Sequence, residues 1–219
     1  MPTADQGVAV RPADVERWLD ELGLRPDARS DREGVTSWDL RLDGRRRFDV
    51  PVTLILDPLV ALIVWVHFAP PIADAYRKSY RKLLHWNDEF PFAKFSLAED
   101  ERPILTVEIA PVLAGRDALG VAIARSLAIS DQLLEESASW LWIGGRIPDT
   151  SGRASRGEAL LERYRAELGE LAGEPRPNLI EPGGIAPANG PTPPAAGATS
   201  PGPSATDTPA DLARAAADR

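Results

Sequence analysis

The sequence predicts an α+β fold: a five-stranded antiparallel sheet flanked by helices, in the order α-β-β-β-α-β-β-α. Three observations predict it. Apolar residues recur at helical spacing in some segments and at a spacing of two in the segments between them. The run Leu59 to Phe68 is almost continuously apolar and rich in Val, Ile and Trp, at a length that suits a strand. The stretch Leu83 to Leu97 reads as a helix end, a tight corner and a strand, and its apolar residues continue across the corner. Helix and strand there should share one core.

The elements follow in order. Pro12 suits a helix start, with Val15, Trp18, Leu19 and Leu22 on one face and Gly23 as the stop. Trp38, Leu40 and Leu42 alternate with Asp39, Arg41 and Asp43, which is a strand with one wet face. Gly44 and the arginines 45–47 make a turn. Phe48, Val50, Val52, Leu54 and Leu56 form the second strand, where Pro51 implies an edge or a bulge. Asp57-Pro58 reverses the chain into the third strand, expected to be central and covered on both faces. After Pro70-Pro71 a helix carries Ile72, Tyr76, Tyr80, Leu83 and Asn87 near one face. Phe92 to Leu97 is the fourth strand and Ile104 to Ile109 the fifth, joined by the turn at Glu99 to Pro103. A long helix runs from about Asp117 to Trp142 and is closed by Gly144-Gly145. A further helix, about Ser155 to Leu171, is expected to pack on the body or on a partner.

Composition narrows the function. The 219 residues are 43% hydrophobic and 26% charged, as in ordinary globular proteins. A net charge of -8 argues against general affinity for nucleic acid or anionic membrane. The absence of cysteine excludes disulfides, thiolate metal sites and cysteine nucleophiles. Two histidines, His67 and His85, do not make a zinc ligand set. No signal peptide or membrane-length apolar run is visible, so a cytoplasmic location is the expectation. No cofactor is expected.

The domain reading is a flexible N-terminus at 1–12, a folded domain at 13–143, a linker with the extra helix at 144–173, and a tail at 174–219. The tail is Pro, Ala, Gly, Thr and Ser without an aromatic residue, so it is expected to be disordered.

The element order, with Leu83-Leu84, Asn87, Glu89, Pro91-Phe92, Phe95, the turn Glu99-Asp100 and the strand Ile104 to Ile109, resembles the YbjN family, whose fold is similar to type III secretion chaperones. The resemblance covers about Val15 to Trp142. It implies a small cytosolic, chaperone-like protein, commonly dimeric, that binds other proteins and influences bacterial regulation or stress responses.

Candidate chemistry is sparse. Tyr76-Arg77-Lys78-Ser79-Tyr80-Arg81-Lys82 is a four-residue repeat that places Arg77, Lys78, Arg81 and Lys82 in a cationic stripe extended by His85. The stripe could receive an acidic peptide, a phosphate or nucleic acid; a solvated helix face is the plainer reading. Trp140 and Trp142 end the long helix and suit an interface. The carboxylates at Asp88, Glu89, Glu99, Asp100 and Glu101 lack calcium-loop spacing and read as turn and cap chemistry. Gly144-Gly145-Arg146 is no phosphate loop.

These readings converge on a non-enzymatic, chaperone-like or adaptor homodimer that binds a segment of an unidentified protein partner. A groove beside a helix is preferred to sheet-edge pairing, and Arg77, Lys78, Arg81, Lys82, His85, Trp140 and Trp142 are the candidate contacts. The alternative is a regulator that senses a small ligand or contacts nucleic acid through residues 77–82.

Overall fold

The computed structural model describes residues 10–69, 80–141 and 152–172; for 135–141 and 172 it describes the backbone alone. All of them belong to one unit, Met1–Leu179. Arg77, Lys78, Trp142, the Gly144-Gly145 stop and the tail 174–219 lie outside the described residues.

The chain begins with α1 (Pro12–Glu21), then β1 (Ala28–Arg32), β2 (Val35–Leu42), β3 (Val50–Asp57) and β4 (Ala61–His67). It continues through α2 (Tyr80–Glu89), β5 (Lys94–Leu97), β6 (Pro103–Ile109) and α3 (Arg116–Leu141). Two short helices, α4 (Glu158–Arg163) and α5 (Arg165–Leu168), follow. The fold is α+β, with an open antiparallel sheet in the order β1-β2-β3-β4-β6-β5.

The sheet has six strands, not the five that the periodicity predicts. The additional strand is β1, Ala-Arg-Ser-Asp-Arg, exposed along its whole length. It has no apolar alternation to read, because neither face is buried. It is held by its ladder to β2 and by a two-residue turn in which both Glu33 and Gly34 take positive φ, at 52° and 85°. That is the hairpin geometry that a right-handed strand twist prefers.

Other expectations are corrected by packing. β4 is covered on one face only: Leu62, Val64 and Val66 are buried, while Ile63, Trp65 and His67 are half-buried. Its near-continuous apolar run therefore overstates its burial. β3 is an interior strand despite Pro51, which stands outside the β3–β4 ladder that begins at Val52–Val66. β5 starts at Lys94 rather than Phe92, because Phe92 is a turn residue with φ 66°. The expected helix at 155–171 is broken at Tyr164, whose φ -106° and ψ 22° are not helical.

The core lies between one face of the sheet and the helices α1 and α3. Register stacks Trp38, Leu54, Val64 and Val107 in one row across four strands. Leu40, Val52, Val66, Leu105 and Phe95 make the next row. Val15 and Leu19 of α1 and Leu119, Ile123 and Leu127 of α3 are buried in the same core. At the α2 end, the rings of Phe68, Trp86, Phe90 and Phe95 cluster with centroids 5.4 to 6.2 Å apart. Each such tilted or edge-on pair adds about 1 kcal/mol beyond its buried area. This cluster is the shared core of helix and strand that the Leu83–Leu97 stretch predicts.

The C-terminal segment completes the cover of α3. Leu160, Leu161, Tyr164 and Leu168 are buried. Gly120 of α3 lets Tyr164 lie flat: a Cβ there would come within 2.3 Å of the phenol ring. The Tyr164 hydroxyl then donates to Asp117 Oδ1 at 3.0 Å.

Candidate functional site

Of the residues that the sequence nominates, Arg81 and His85 are exposed on α2, one turn apart, with Leu84 between them at 67% exposure. Lys82 is half-buried. Trp140 lies near the end of α3, where only the backbone is described.

The structure draws attention instead to the corner that follows α2. Phe90 turns into the core, and Pro91 and Phe92 turn out. Phe92 holds φ 66° and is 80% exposed. The left-handed region costs a bulky side chain on the order of 1 kcal/mol or more. Beside it opens a groove of about 420 Å³ between the corner, α3 and the C-terminal segment. Arg125, Ile129 and Gln132 line it from one face of α3, at i, i+4 and i+7. Phe90, Phe92 and Leu168 supply most of the remaining apolar wall.

Arg125 is the cation of this groove. Its guanidinium carbon lies 5.6 Å from the Phe92 ring centroid. One Nη2 donates to the Glu167 carbonyl at a long 3.4 Å. Its Nε is buried and has no hydrogen-bond partner among the described residues. Nothing in the local sequence nominates Arg125, since an Arg in an amphipathic helix is ordinary; only the φ of Phe92 and the position of Leu168 make it part of a site.

Two buried carboxylates organise the opposite region. Asp131 of α3 accepts the amides of Arg45, Arg46 and Arg47 at 2.6, 3.1 and 2.8 Å. Burial pushes this carboxyl up, and the three amides pull against that shift. Asp43, fully buried, accepts from the Asp49 amide at 2.9 Å and from the Arg156 amide at 3.1 Å. It also takes Arg156 Nε at 2.6 Å and Nη2 at 2.9 Å. Hydrogen bonds from Arg156 hold the Asp43 carboxyl far below the usual range. Gly157 sits so close that a Cβ would meet the Asp43 carbonyl at 1.8 Å. Arg47 is lowered to about 10 by burial. This constellation ties the β2–β3 loop to α3 and to the C-terminal segment, a structural clamp.

His67, at the end of β4, is a half-buried titratable group. Burial, then Arg102, lowers its pKa, and its Nδ1 has no hydrogen-bond partner among the described residues. Its ring centroid stands 6.3 Å from that of Trp65, and His85 is exposed on α2. Among the described residues no three His, Cys, Asp or Glu side chains are grouped to hold a metal ion. No described helix is long and apolar enough to cross a membrane.

A family model whose description is YbjN, "Putative bacterial sensory transduction regulator", matches residues 11–139, more than half of the chain. The chain belongs to the YbjN family. No curated protein matches it.

The YbjN match takes in the whole sheet, the aromatic corner and most of α3. It stops short of Arg156, Tyr164 and Leu168. The groove is therefore built from two sources: the Phe90–Phe92 corner and the Arg125 face lie inside the YbjN portion, and the third wall is added by residues beyond it. The YbjN description is of a regulator and not of an enzyme family.

Proposed function

We propose that this YbjN-family protein is a non-enzymatic, chaperone-like adaptor that seats an extended or partly unfolded segment of a partner protein. The segment lies in the groove between the Phe90–Phe92 corner, α3 and α5. The observation that carries this reading is Phe92, an aromatic side chain held in solvent by a strained backbone at the rim of an apolar groove. Strained, exposed residues persist where a function uses them.

The alternative of strand addition is less favoured at both sheet edges. β1 is charged at Arg29, Asp31 and Arg32, which discourages pairing. The outer edge of β5 is occupied at Phe95 by the side chain of Asn87. On this reading the protein acts in the cytoplasm as a homodimer of type III secretion chaperone-like architecture. α3 and the β5–β6 hairpin serve the dimer contact, and Arg77, Lys78, Arg81, Lys82, His85, Trp140 and Trp142 border the partner's path.

The test is a photo-crosslinking residue at position 92 in the full chain, with the doubly altered F92S/L171E chain as a control in pull-downs from host lysate. One protein crosslinked at position 92 and lost from the control is the expected result. The same proteins captured by both chains would sink the groove reading.

A second reading, a regulator that senses a small ligand, is favoured by the family description and by a cavity volume in the range of small-molecule sites. It requires a metabolite that raises the melting temperature and is displaced by the partner segment.

A further inference from the structure

The groove carries a chemical preference that its apolar lining alone does not require. Arg125 brings a full positive charge into it with its Nε buried and without a hydrogen-bond partner among the described residues. A carboxylate that pairs with this guanidinium adds a charge-assisted hydrogen bond, stronger than one between neutral groups. Among the described residues the guanidinium has no ion pair, and it makes one hydrogen bond, the 3.4 Å contact to the Glu167 carbonyl. The Arg125 guanidinium carbon lies 5.6 Å from the Phe92 ring centroid, within cation–π range.

Resting on the groove reading above, we infer that the partner segment bears one side-chain carboxylate two residues from an aromatic or large aliphatic side chain. In an extended peptide, residues i and i+2 point to the same side, about 7 Å apart. That spacing lets the carboxylate meet Arg125 while the apolar side chain enters the space beside Phe92, Ile129 and Leu168. A carboxylate is the matching acceptor because an arginine fork pairs with it in one plane. Glu89 and Glu170 at the rim oppose a run of acids, so a single carboxylate is selected rather than an acidic tract. Arg125 and Phe92 lie inside the YbjN match, and Leu168 and Glu170 lie beyond it.

The probes are two peptides, acetyl-Asp-Ser-Phe-amide and acetyl-Asn-Ser-Phe-amide, titrated into the ¹⁵N-labelled full chain and followed by amide shifts. The Asp peptide should shift residues around 90–92, 125–132 and 168–171, and the Asn peptide should bind the same place about tenfold more weakly. R125M should bind both peptides equally, and R125K should keep part of the preference. F92G should weaken both, with an unchanged or raised melting temperature showing that the fold is intact.

Equal binding of the two peptides at the groove would overturn the carboxylate preference and leave the groove reading standing. No shift from either peptide at about 5 mM would overturn both, since even weak fragments register at that concentration. Shifts of the same amides on raising protein concentration without peptide would assign the groove to a second copy and overturn the inference.

Discussion

The side chain of Asn87 closes the sheet edge at Phe95. Its Oδ1 accepts the Phe95 amide at 2.6 Å, and its Nδ2 donates to the Phe95 carbonyl at 3.2 Å. One amide side chain thus does at this position what a neighbouring strand would do, satisfying both backbone groups of an edge residue. It also locks α2 to β5 across the aromatic corner. The residue must supply both a donor and an acceptor, and the Asn side chain carries them on one planar amide, as a backbone peptide does.

Asn87→Ala should therefore act twice. Two part-buried backbone groups lose their partners, for an expected loss of about 2 kcal/mol. The freed edge should also raise self-association, read by light scattering on a size-exclusion column beside a urea melt. An unchanged melt with a monodisperse wild-type profile would refute the edge-closing role.

The contact of Gly120 with Tyr164 tests whether the C-terminal segment is integral to the domain. A Cβ at position 120 must displace the phenol ring, which would come within 2.3 Å of it. Gly120→Ala should destabilise the full chain by about 1–3 kcal/mol despite the better helix propensity of Ala. It should also increase proteolysis within residues 152–172. Stabilisation by this substitution would mean that the segment does not pack on α3 in solution.

Asp43 sets an acid limit. Its folded pKa is depressed below the ordinary carboxylate value of 3.8 by Arg156. Its stabilising contribution is thus complete above that ordinary value and disappears as pH falls through the depressed folded one. Asp43→Asn should lower the melting temperature at neutral pH and flatten its decline toward the acid end. A parallel downward shift at every pH would show that the charge on Asp43 is not what matters.

His67 works with the opposite charge type. Burial lowers its folded pKa from 6.5, so the native state favours the neutral ring. Stability should fall as pH drops through and below about 6.5, because the unfolded chain takes up the proton first. Thermal melts between pH 7.5 and 5 should show this slope, as an order-of-magnitude window around the histidine range. His67→Gln should reduce it.

Much of this was readable in advance, and the reasons differ by element. The strands β2 and β3 and the helix α1 declare themselves because each buries chiefly one face, so apolar residues fall at the matching period. β1 buries neither face, and its sequence carries no such period; a Glu-Gly turn ahead of Val35 was the one available signal. The cationic stripe was visible as spacing, yet Arg125 was not, because its role depends on a ring and a C-terminal wall distant in sequence.

The α+β class, the YbjN resemblance and the shared aromatic core of the Leu83–Leu97 corner are all written in the order of amino acids. These are local properties, set by side-chain period and turn chemistry over a few residues. Tertiary structure alone decided that Asn87 replaces a strand, that Phe92 is held outward in a left-handed backbone, and that residues 153–168 complete the domain through Asp43 and Gly120. Each of these depends on the meeting of groups far apart in the chain or on a backbone angle imposed by packing, and neither leaves a periodic trace in the order of amino acids.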